Sequence, residues 1–350
     1  MGLYGLTRPL LFSLPAETAH HLGLAALRTA NHSPIRRLLS RQFTVDDPRL
    51  RTTLWDIDFP NPVGVAAGFD KNARVPGALG ALGFGFVEVG GVTAQPQAGN
   101  PRPRLFRLPE DKALVNRLGL NNEGADTIGR RLAGTDVDVP VGVNIAKSED
   151  VDAEGAPADY RHTYECVADG GDFFVVNVSC PNSQGFEELQ NRESLAAILE
   201  ALTEAGASPL LVKLSPDLPE PAAIDALELV DAFDLDGVVA TNTTTERPET
   251  LASPNRVEPG GLSGAPLSAR STAMVRLAAQ HVDAPVIGVG GVATAADAYE
   301  KIRAGASLVE LYTAFVYRGP AIAREINRNL LDLLEEDGFD SVEAAVGADL

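Results

Sequence analysis

Side chains that can do acid–base chemistry stand at the end of one apolar segment of this chain. The segment FFVVNVSCPN (173–182) begins as a buried-strand pattern and ends with Asn177, Cys180 and Asn182. Because Pro181 interrupts strand pairing, the thiol of Cys180 is expected in a loop. A thiol there can act as a nucleophile or as a general base. No histidine adjoins it in the sequence, which favours abstraction of a proton from a carbon acid.

Lysines show a similar placement. The chain has only five lysines against 24 arginines, and Lys71, Lys147 and Lys213 all stand where apolar strand-like segments end. A single lysine at such a position is usually just solvated. Three of five indicate that positive charge is needed where the strands end.

Asparagines form a third group at these positions, although asparagine is disfavoured in strands. Asn144, Asn177 and Asn242 each end an apolar segment, and further asparagines lie in the adjoining loops: Asn116, Asn121, Asn122 and Asn182. Each one alone can be a turn or capping residue. Together with Lys71 they predict a pocket for a planar, amide-rich, anionic ring.

The elements that position these residues follow from the apolar pattern. Eight short apolar segments alternate with segments of helical periodicity, which predicts a parallel sheet covered by helices. Eight such units closed on themselves make an α/β fold of the (β/α)8 TIM barrel type, with the site at the carboxyl ends of the strands. An open doubly wound sheet is the alternative, but no GxGxxG turn follows the early strands. The segments are 62–68, 83–90, 139–147, 173–179, 209–215, 237–242, 284–291 and 308–313.

Glycine-rich stretches occur late in the chain. GVGG (288–291) and GAS (305–307) suit the phosphate cradle that such barrels form near strands seven and eight. GGLSG (260–264) is interpreted as a second glycine-rich loop. Glycine also serves plain turns, so these stretches support a phosphate site only through their position.

Two regions depart from the barrel repeat. About 60 residues precede the first strand, and AETAHHLGLAALRTA (16–30) within them has helical periodicity. A long polar insert (91–122) follows the second strand. The N-terminus has no cleavage site of a signal peptide, and no apolar run approaches the ~20 residues that span a bilayer.

Composition excludes some classes of function. The net charge of −19 argues against binding of nucleic acid or of anionic lipid by charge, and it resembles that of salt-adapted proteins. The two cysteines, Cys166 and Cys180, predict no disulfide framework. Without a Cys/His cluster of zinc spacing, no metal site is predicted.

Several motifs together resemble the dihydroorotate dehydrogenase family over nearly the whole chain. They are AAGFDKNA (66–73), NPRPRLFRLPED (100–111), NRLGLNNEG (116–124), NVSCPN (177–182), VKLSPD (212–217), ATNTT (240–244), GGLSG (260–264), IGVGG (287–291) and the GAS…LYT end (305–313).

The resemblance implies one FMN and oxidation of dihydroorotate to orotate in pyrimidine synthesis, with Cys180 as the base. Hydride would pass to the flavin while the base takes the neighbouring proton, and Lys71 and the asparagines would stabilise charge. The implied FMN contacts are Ala67, Gly68, Lys71, Gly91, Asn144, Asn177, Lys213, Thr241, Gly264, Gly291, Tyr312 and Thr313. The implied substrate contacts are Lys71, Asn116, Arg117, Leu118, Gly119, Leu120, Asn177, Asn182, Asn242 and Thr243.

The family divides by electron acceptor. Residues 16–28 and 100–111 resemble the quinone-using class, in which an N-terminal helical extension docks on the membrane and forms the quinone tunnel. The resemblance implies an extension at 1–45, a catalytic barrel at 46–350, and a peripheral place on the cytoplasmic side of the cell membrane. His20 and Arg107 take the quinone-facing positions.

Two residues depart from that class. Cys180 stands where the quinone class normally has serine, and Gly91 where it usually has threonine or serine. A soluble enzyme linked to fumarate or NAD is therefore one alternative. A non-catalytic flavin-binding barrel is another, although such a barrel needs neither Lys71 nor Cys180.

Overall fold

The computed structural model describes residues 3–31, 33–179, 189 and 191–350. Its strands in chain order are β1 (Thr52–Leu54), β2 (Ile57–Phe59), β3 (Val63–Val65), β4 (Phe86–Val92), β5 (Leu105–Leu108), β6 (Ala113–Asn116), β7 (Val141–Ile145), β8 (Phe173–Asn177), β9 (Leu210–Leu214), β10 (Gly237–Ala240), β11 (Gly261–Gly264), β12 (Val286–Val289) and β13 (Ala306–Leu311).

Eight of these strands close a parallel barrel in the order β3-β4-β7-β8-β9-β10-β12-β13. Each lies within one of the eight predicted segments, or overlaps it, so the predicted (β/α)8 barrel is confirmed. The register pairs Gly90 with Asn144 and Asn177 with Lys213, which brings the polar strand ends to one edge. The alternative of an open doubly wound sheet is excluded by this closure.

Helices cover the barrel, and three further helices precede its first strand in the chain. They are α1 (Leu3–Ser13), α2 (Ala16–Ala30), α3 (Ser33–Phe43), α4 (Pro76–Ala81), α5 (Ala125–Ala133), α6 (Ala156–Val167), α7 (Arg192–Glu204), α8 (Glu220–Ala232), α9 (Ser268–His281), α10 (Ala295–Arg303), α11 (Thr313–Arg318), α12 (Ile322–Asp337) and α13 (Val342–Ala345). Short 3₁₀ turns occur at Pro48–Leu50, Ala168–Gly170, Pro254–Val257 and Ala265–Leu267.

The barrel interior is layered because side chains alternate along each strand. Phe59, Phe86 and Phe173 pack together at one end, with ring centroids 5.6–6.3 Å apart. Two residues beyond Phe86 the same face of β4 carries Glu88, which is fully buried. An apolar floor thus closes one end of the barrel, and charged and amide groups occupy the other.

The insert after the second barrel strand builds a small antiparallel sheet in the order β11-β6-β5. Gly261 to Gly264 pair with Asn116 to Ala113 along β6. The prediction that GGLSG forms a loop is therefore wrong: the stretch is a strand, and its partner lies about 150 residues earlier in the chain. This sheet stands over the carboxyl ends of the barrel strands, where it carries part of the cavity wall.

Helices α1, α2 and α3 precede the barrel, and the helix expected at 16–30 is present as α2. Seven large apolar side chains are exposed in the described part of the chain, and five of them lie here: Leu6, Leu10, Leu22, Ile35 and Leu38. Leu6 and Leu10 are 72% and 71% exposed, one helical turn apart. Among the described residues, no helix is both long and apolar enough to cross a membrane.

Candidate active site

One cavity of about 680 Å³ lies at the carboxyl ends of the barrel strands. Its wall includes all twelve residues predicted to contact the cofactor: Ala67, Gly68, Lys71, Gly91, Asn144, Asn177, Lys213, Thr241, Gly264, Gly291, Tyr312 and Thr313. The strands place them there because the ends of parallel strands meet at one edge. A cavity of this size suits a drug-sized or cofactor-sized molecule.

The amides of this wall form a continuous hydrogen-bonded chain. Asn144 Nδ2 donates to Glu88 Oε1 at 2.6 Å, and Asn177 Nδ2 donates to Asn144 Oδ1 at 2.9 Å. Asn242 Nδ2 donates to Asn177 Oδ1 at 3.2 Å and to Ser179 Oγ at 3.1 Å. Each amide orientation is thereby fixed by its neighbour, which pre-organises the wall for a polar ligand.

A buried charge cluster lies at the start of that chain. Lys213 Nζ is 3.0 Å from Glu88 and 3.9 Å from Glu310, and both carboxylates are fully buried. Burial opposes the charged form of Lys213, but the two carboxylates outweigh it and raise its pKa. Burial also opposes ionisation of Glu88, yet Lys213 and Asn144 lower its pKa overall. Lys213 and Glu88 are therefore the ion pair of the cluster.

Glu310 differs from Glu88 although both face the same ammonium. Burial, and then the charge of Glu88, raise its pKa well above the usual range. Its two carboxyl oxygens accept no hydrogen bond from a described residue, and the residue lines the cavity. One ammonium cannot compensate two buried carboxylates, so the ionised form of Glu310 is the disfavoured one.

The two glutamates were not among the residues predicted for the site. The signal was present, because a carboxylate inside a fully buried apolar strand is rare unless it is paired. Glu88 lies within GFGFVEVG (83–90) and Glu310 within LVELYT (308–313), each two positions after an apolar inward residue. Their common partner Lys213 is more than 90 residues away from either of them in the sequence. Local sequence patterns therefore could not predict the ion pair.

Two glycine turns shape another part of the wall. Gly264 has φ +99° and Gly291 has φ +77°, which favour glycine. A Cβ on Gly264 would lie 2.4 Å from the carbonyl oxygen of Lys112, and one on Gly291 would lie 2.4 Å from Ser268 Cα. Backbone thus forms the cavity surface at Gly291, as a phosphate cradle requires, whereas residues 305–307 of the predicted cradle lie at the start of β13 and are not part of the described cavity wall.

Most of the predicted substrate residues also line the cavity: Lys71, Asn116, Leu118, Gly119, Leu120, Asn177, Asn242 and Thr243. Arg117 does not. Its guanidinium pairs with Glu258 at 2.7 Å and lies over the ring of Phe106, 4.4 Å from the centroid. Cys180 and Asn182 lie outside the described residues.

Gly91, which departs from the quinone-class pattern, has little free space around it. A Cβ there would lie 3.0 Å from Leu120 Cδ2 and 3.1 Å from Asn144 Oδ1. Threonine or serine at this position would press on both neighbours. The glycine therefore matches the close packing of Leu120 and Asn144 in this chain.

The N-terminal helices reach the same cavity. Arg8 and Phe12 of α1 are part of its wall, and Glu17 of α2 forms ion pairs with Arg104 at 2.8 Å and Arg102 at 3.1 Å. Arg104 is 5% exposed. Because that charge is buried and paired, α2 is fastened to the insert beside the cavity.

The two residues predicted to face quinone have different surroundings. Arg107 donates to the carbonyls of Leu14 at 2.8 Å and Phe12 at 3.2 Å, so it holds the end of α1. His20 packs edge-on against Phe69, with ring centroids 5.2 Å apart. Burial and then the charge of Lys71 lower the pKa of His20 to about 3, so its ring is neutral. Neither residue lines the described cavity wall.

Comparison with known proteins gives the family. The family model described as dihydroorotate dehydrogenase matches residues 49–334, which is most of the chain. The chain belongs to the dihydroorotate dehydrogenase family. The resemblance inferred from the motifs is therefore confirmed, and so is the expectation that the chain is an oxidoreductase.

Relatives within this family match the chain from end to end. A protein of Haloarcula marismortui named dihydroorotate dehydrogenase (quinone) is 65% identical over 350 residues, with 100% of each chain covered. One of Rhodococcus opacus with the same name is 47% identical, with 99% of each covered. The match includes the N-terminal helices as well as the barrel.

A solved structure agrees with the fold. Dihydroorotate dehydrogenase of Eimeria tenella in complex with ferulenol superposes with a TM-score of 0.88 at 36% identity, covering 95% of each chain.

Proposed function

We propose that this protein is a quinone-dependent dihydroorotate dehydrogenase that uses FMN to oxidise dihydroorotate to orotate in pyrimidine synthesis. One observation carries the proposal: a single cavity extends from the buried polar cluster at Asn177 and Lys213 to Arg8 and Phe12 of α1. Dihydroorotate at the polar end of the cavity and quinone at the end near α1 would both reach a cofactor that lies between them.

The cavity wall fits FMN in its chemistry. Amides and the Lys213 ammonium suit the polar edge of a flavin, and the backbone turns at Gly264 and Gly291 suit its phosphate. Next to Gly264, Thr313 Oγ1 lies 2.8 Å from Ser263 Oγ, and these two side chains add hydroxyl donors to the proposed phosphate site. The twelve predicted cofactor residues are therefore proposed to hold FMN.

When bound, FMN supplies the acceptor for the hydride that dihydroorotate gives up. The chain must take the accompanying proton, and we assign this role to Cys180. A thiol of ordinary pKa near 8.5 is a competent base close to neutral pH. Lys71 and the asparagine chain would hold the carboxylate and the ring amides of the substrate. Arg117 is assigned instead to the structure of the insert, since it is committed to Glu258 and Phe106.

We propose that residues 1–45 form the membrane-facing extension and 46–350 the catalytic barrel. Leu6 and Leu10 are exposed on α1, which also supplies Arg8 and Phe12 to the cavity, and Leu38 is exposed on α3. Apolar side chains on short surface helices can insert into the boundary of a bilayer. The protein would thus lie peripherally on the cytoplasmic face of the cell membrane, where quinone can enter the cavity past α1.

The test is a pair of half-reactions on the purified protein. Dihydroorotate should bleach the yellow flavin, and a soluble quinone should then restore the colour faster than fumarate or NAD in parallel samples. No bleaching would reject the enzymatic proposal in favour of a flavin-binding barrel. Bleaching followed by reoxidation only with fumarate or NAD would place the protein with the soluble enzymes.

A further inference from the structure

A fully buried lysine lies behind the glycine turn of the cavity. Lys301 of α10 is 0% exposed, and its Nζ donates to Ser271 Oγ at 2.9 Å and to Thr272 Oγ1 at 3.0 Å. Both acceptors belong to the beginning of α9. Neutral hydroxyls satisfy the ammonium with hydrogen bonds but do not balance its charge.

This charge lacks the compensation that Lys213 receives. No carboxylate of the described residues lies within ion-pair distance of Lys301 Nζ, whereas Lys213 has Glu88 at 3.0 Å. Burial lowers the pKa of Lys301 to about 8, and Glu300 and Asp297 offset this only in part. A buried unpaired charge is costly for a fold that needs only packing at that point.

The ammonium is connected to the cavity wall. Ser271, which accepts from Lys301, donates its own hydroxyl proton to the carbonyl of Val289, directly before Gly290 and Gly291. The backbone of Gly291 is so close to Ser268 that a Cβ would lie 2.4 Å from Ser268 Cα. Val289, Gly290 and Gly291 all line the cavity. Lys301 therefore stands one layer behind the surface assigned to the phosphate.

We infer that Lys301 is a positioning residue that gives the site its preference for a phosphorylated flavin. The inference rests on the proposed FMN function and adds a role for a residue outside the cavity wall. Its positive charge attracts the phosphate dianion across the Gly290–Gly291 turn, and its bond to Ser271 holds that turn in place. The bound dianion in turn supplies the counter-charge that Lys301 lacks.

The test compares FMN with riboflavin, which has the same ring but no phosphate. Full-length Lys301→Met protein, freed of flavin, is titrated with each ligand by quenching of flavin fluorescence. We expect on the order of a tenfold loss of FMN affinity, the scale of one charge pair at an intermediate effective dielectric constant. Riboflavin affinity should stay within about twofold, because the ring contacts are untouched.

A matched control is Lys147→Met. Lys147 is also buried, at 2% exposure, but it donates to the carbonyl of Ser148 at 2.9 Å and does not line the described cavity wall. The ratio of FMN to riboflavin affinity should not change in this variant. Circular dichroism and thermal unfolding of each protein verify folding, and Lys301→Gln serves as the second variant if Lys301→Met fails to fold.

The outcomes separate the two proposals. Equal loss of both ligands, or no loss of either, in a folded Lys301 variant would overturn the role of Lys301 and leave the FMN site standing. A wild-type protein that holds riboflavin as tightly as FMN would instead reject the proposed phosphate cradle. Selective loss of FMN affinity in the Lys301 variants alone supports the inference.

Discussion

The barrel mouth and the N-terminal helices differ in which side chains they bury and which they expose. At the barrel mouth, charged and amide side chains are buried, and Glu88, Asn144, Asn177 and Lys213 satisfy one another. In α1 to α3, large apolar side chains are exposed, with Leu6 at 72%. Each arrangement costs stability in a protein that only needs to fold. The contrast indicates two functional surfaces, one for a polar substrate and one for an apolar partner.

The two regions also differ in charge. Residues 1–45 contain five arginines and one glutamate, while the whole chain has a net charge of −19. The expectation that net charge repels the protein from anionic lipid therefore does not extend to the helices that would touch the membrane. Local charge decides such contacts, because charges farther away than about a Debye length are screened.

The largest expected effect comes from breaking the buried ion pair. Lys213→Met leaves Glu88 buried without its counter-charge, and we expect a loss of about 3–5 kcal/mol in the free energy of unfolding at pH 7. Urea denaturation of the flavin-free protein measures it. The added change Glu88→Gln should restore much of the loss. If Lys213→Met alone were as stable as the wild type, the charge cluster would not have the role described.

The next effect is on the proposed base. Cys180→Ala should bind FMN and orotate but lose flavin reduction by at least ~100-fold, while Cys180→Ser keeps part of the rate with a shifted pH profile. Stopped-flow absorbance follows the bleaching by dihydroorotate. Cys166→Ala is the control, since burial raises the pKa of Cys166 to about 11 and keeps it an inert thiol. An unchanged rate in Cys180→Ala would remove this residue from the mechanism.

A smaller effect should follow from changing the exposed helix face. Leu6→Glu with Leu10→Glu should weaken co-sedimentation with anionic lipid vesicles by about tenfold, because apolar burial and local charge both become less favourable. Thr7→Glu, on the same helix, adds one negative charge without removing an apolar side chain and so reports the contribution of charge. Salt should weaken the binding of the wild type, given the five arginines. If the Leu6/Leu10 variant bound vesicles as well as the wild type does, the proposal that α1 contacts the membrane would be rejected.

The last effect depends on pH and concerns Glu310, whose pKa in the folded protein is raised above the ordinary 4.5 by burial and by Glu88. Below the unfolded pKa both states are protonated, so Glu310→Gln and the wild type should be equally stable. Above the unfolded pKa, Glu310 ionises in the unfolded state only, which stabilises that state. The free energy of unfolding of the wild type therefore decreases, relative to that of Glu310→Gln, by up to about 1.4 kcal/mol per pH unit until the folded pKa is reached. Thermal unfolding at pH 4, 6 and 8 measures the gap. A glutamine variant that is less stable at pH 8 would mean that the carboxylate is ionised and satisfied.

The sequence predicted what local pattern and strand direction determine. The eight barrel strands were recognisable because parallel strands are buried on both faces and appear as continuous apolar runs. Asn144, Asn177 and Lys213 reach one cavity because the ends of such strands meet. The local sequence pattern did not predict contacts between residues far apart in the chain, such as the pairing of β11 with β6 or the proximity of Glu310 to Lys213.

Arg117 illustrates another limit. The motif at 116–120 was assigned to the substrate as a block, yet side chains of an extended chain alternate between two faces. Asn116 and Leu118 line the cavity, and the residue between them points to Glu258. A motif identifies the segment that forms a site, whereas backbone direction decides which of its residues reach the ligand.

The most direct test of the contrast between barrel and extension is to separate the two half-reactions in one protein. A variant that lacks residues 1–30, shown to be folded by circular dichroism, is compared with the full chain by stopped-flow absorbance. We predict that dihydroorotate bleaches the flavin of both proteins at nearly the same rate, while reoxidation by quinone in lipid vesicles falls at least tenfold in the truncated one. Reoxidation by quinone at the full rate without α1 and α2 would contradict the account.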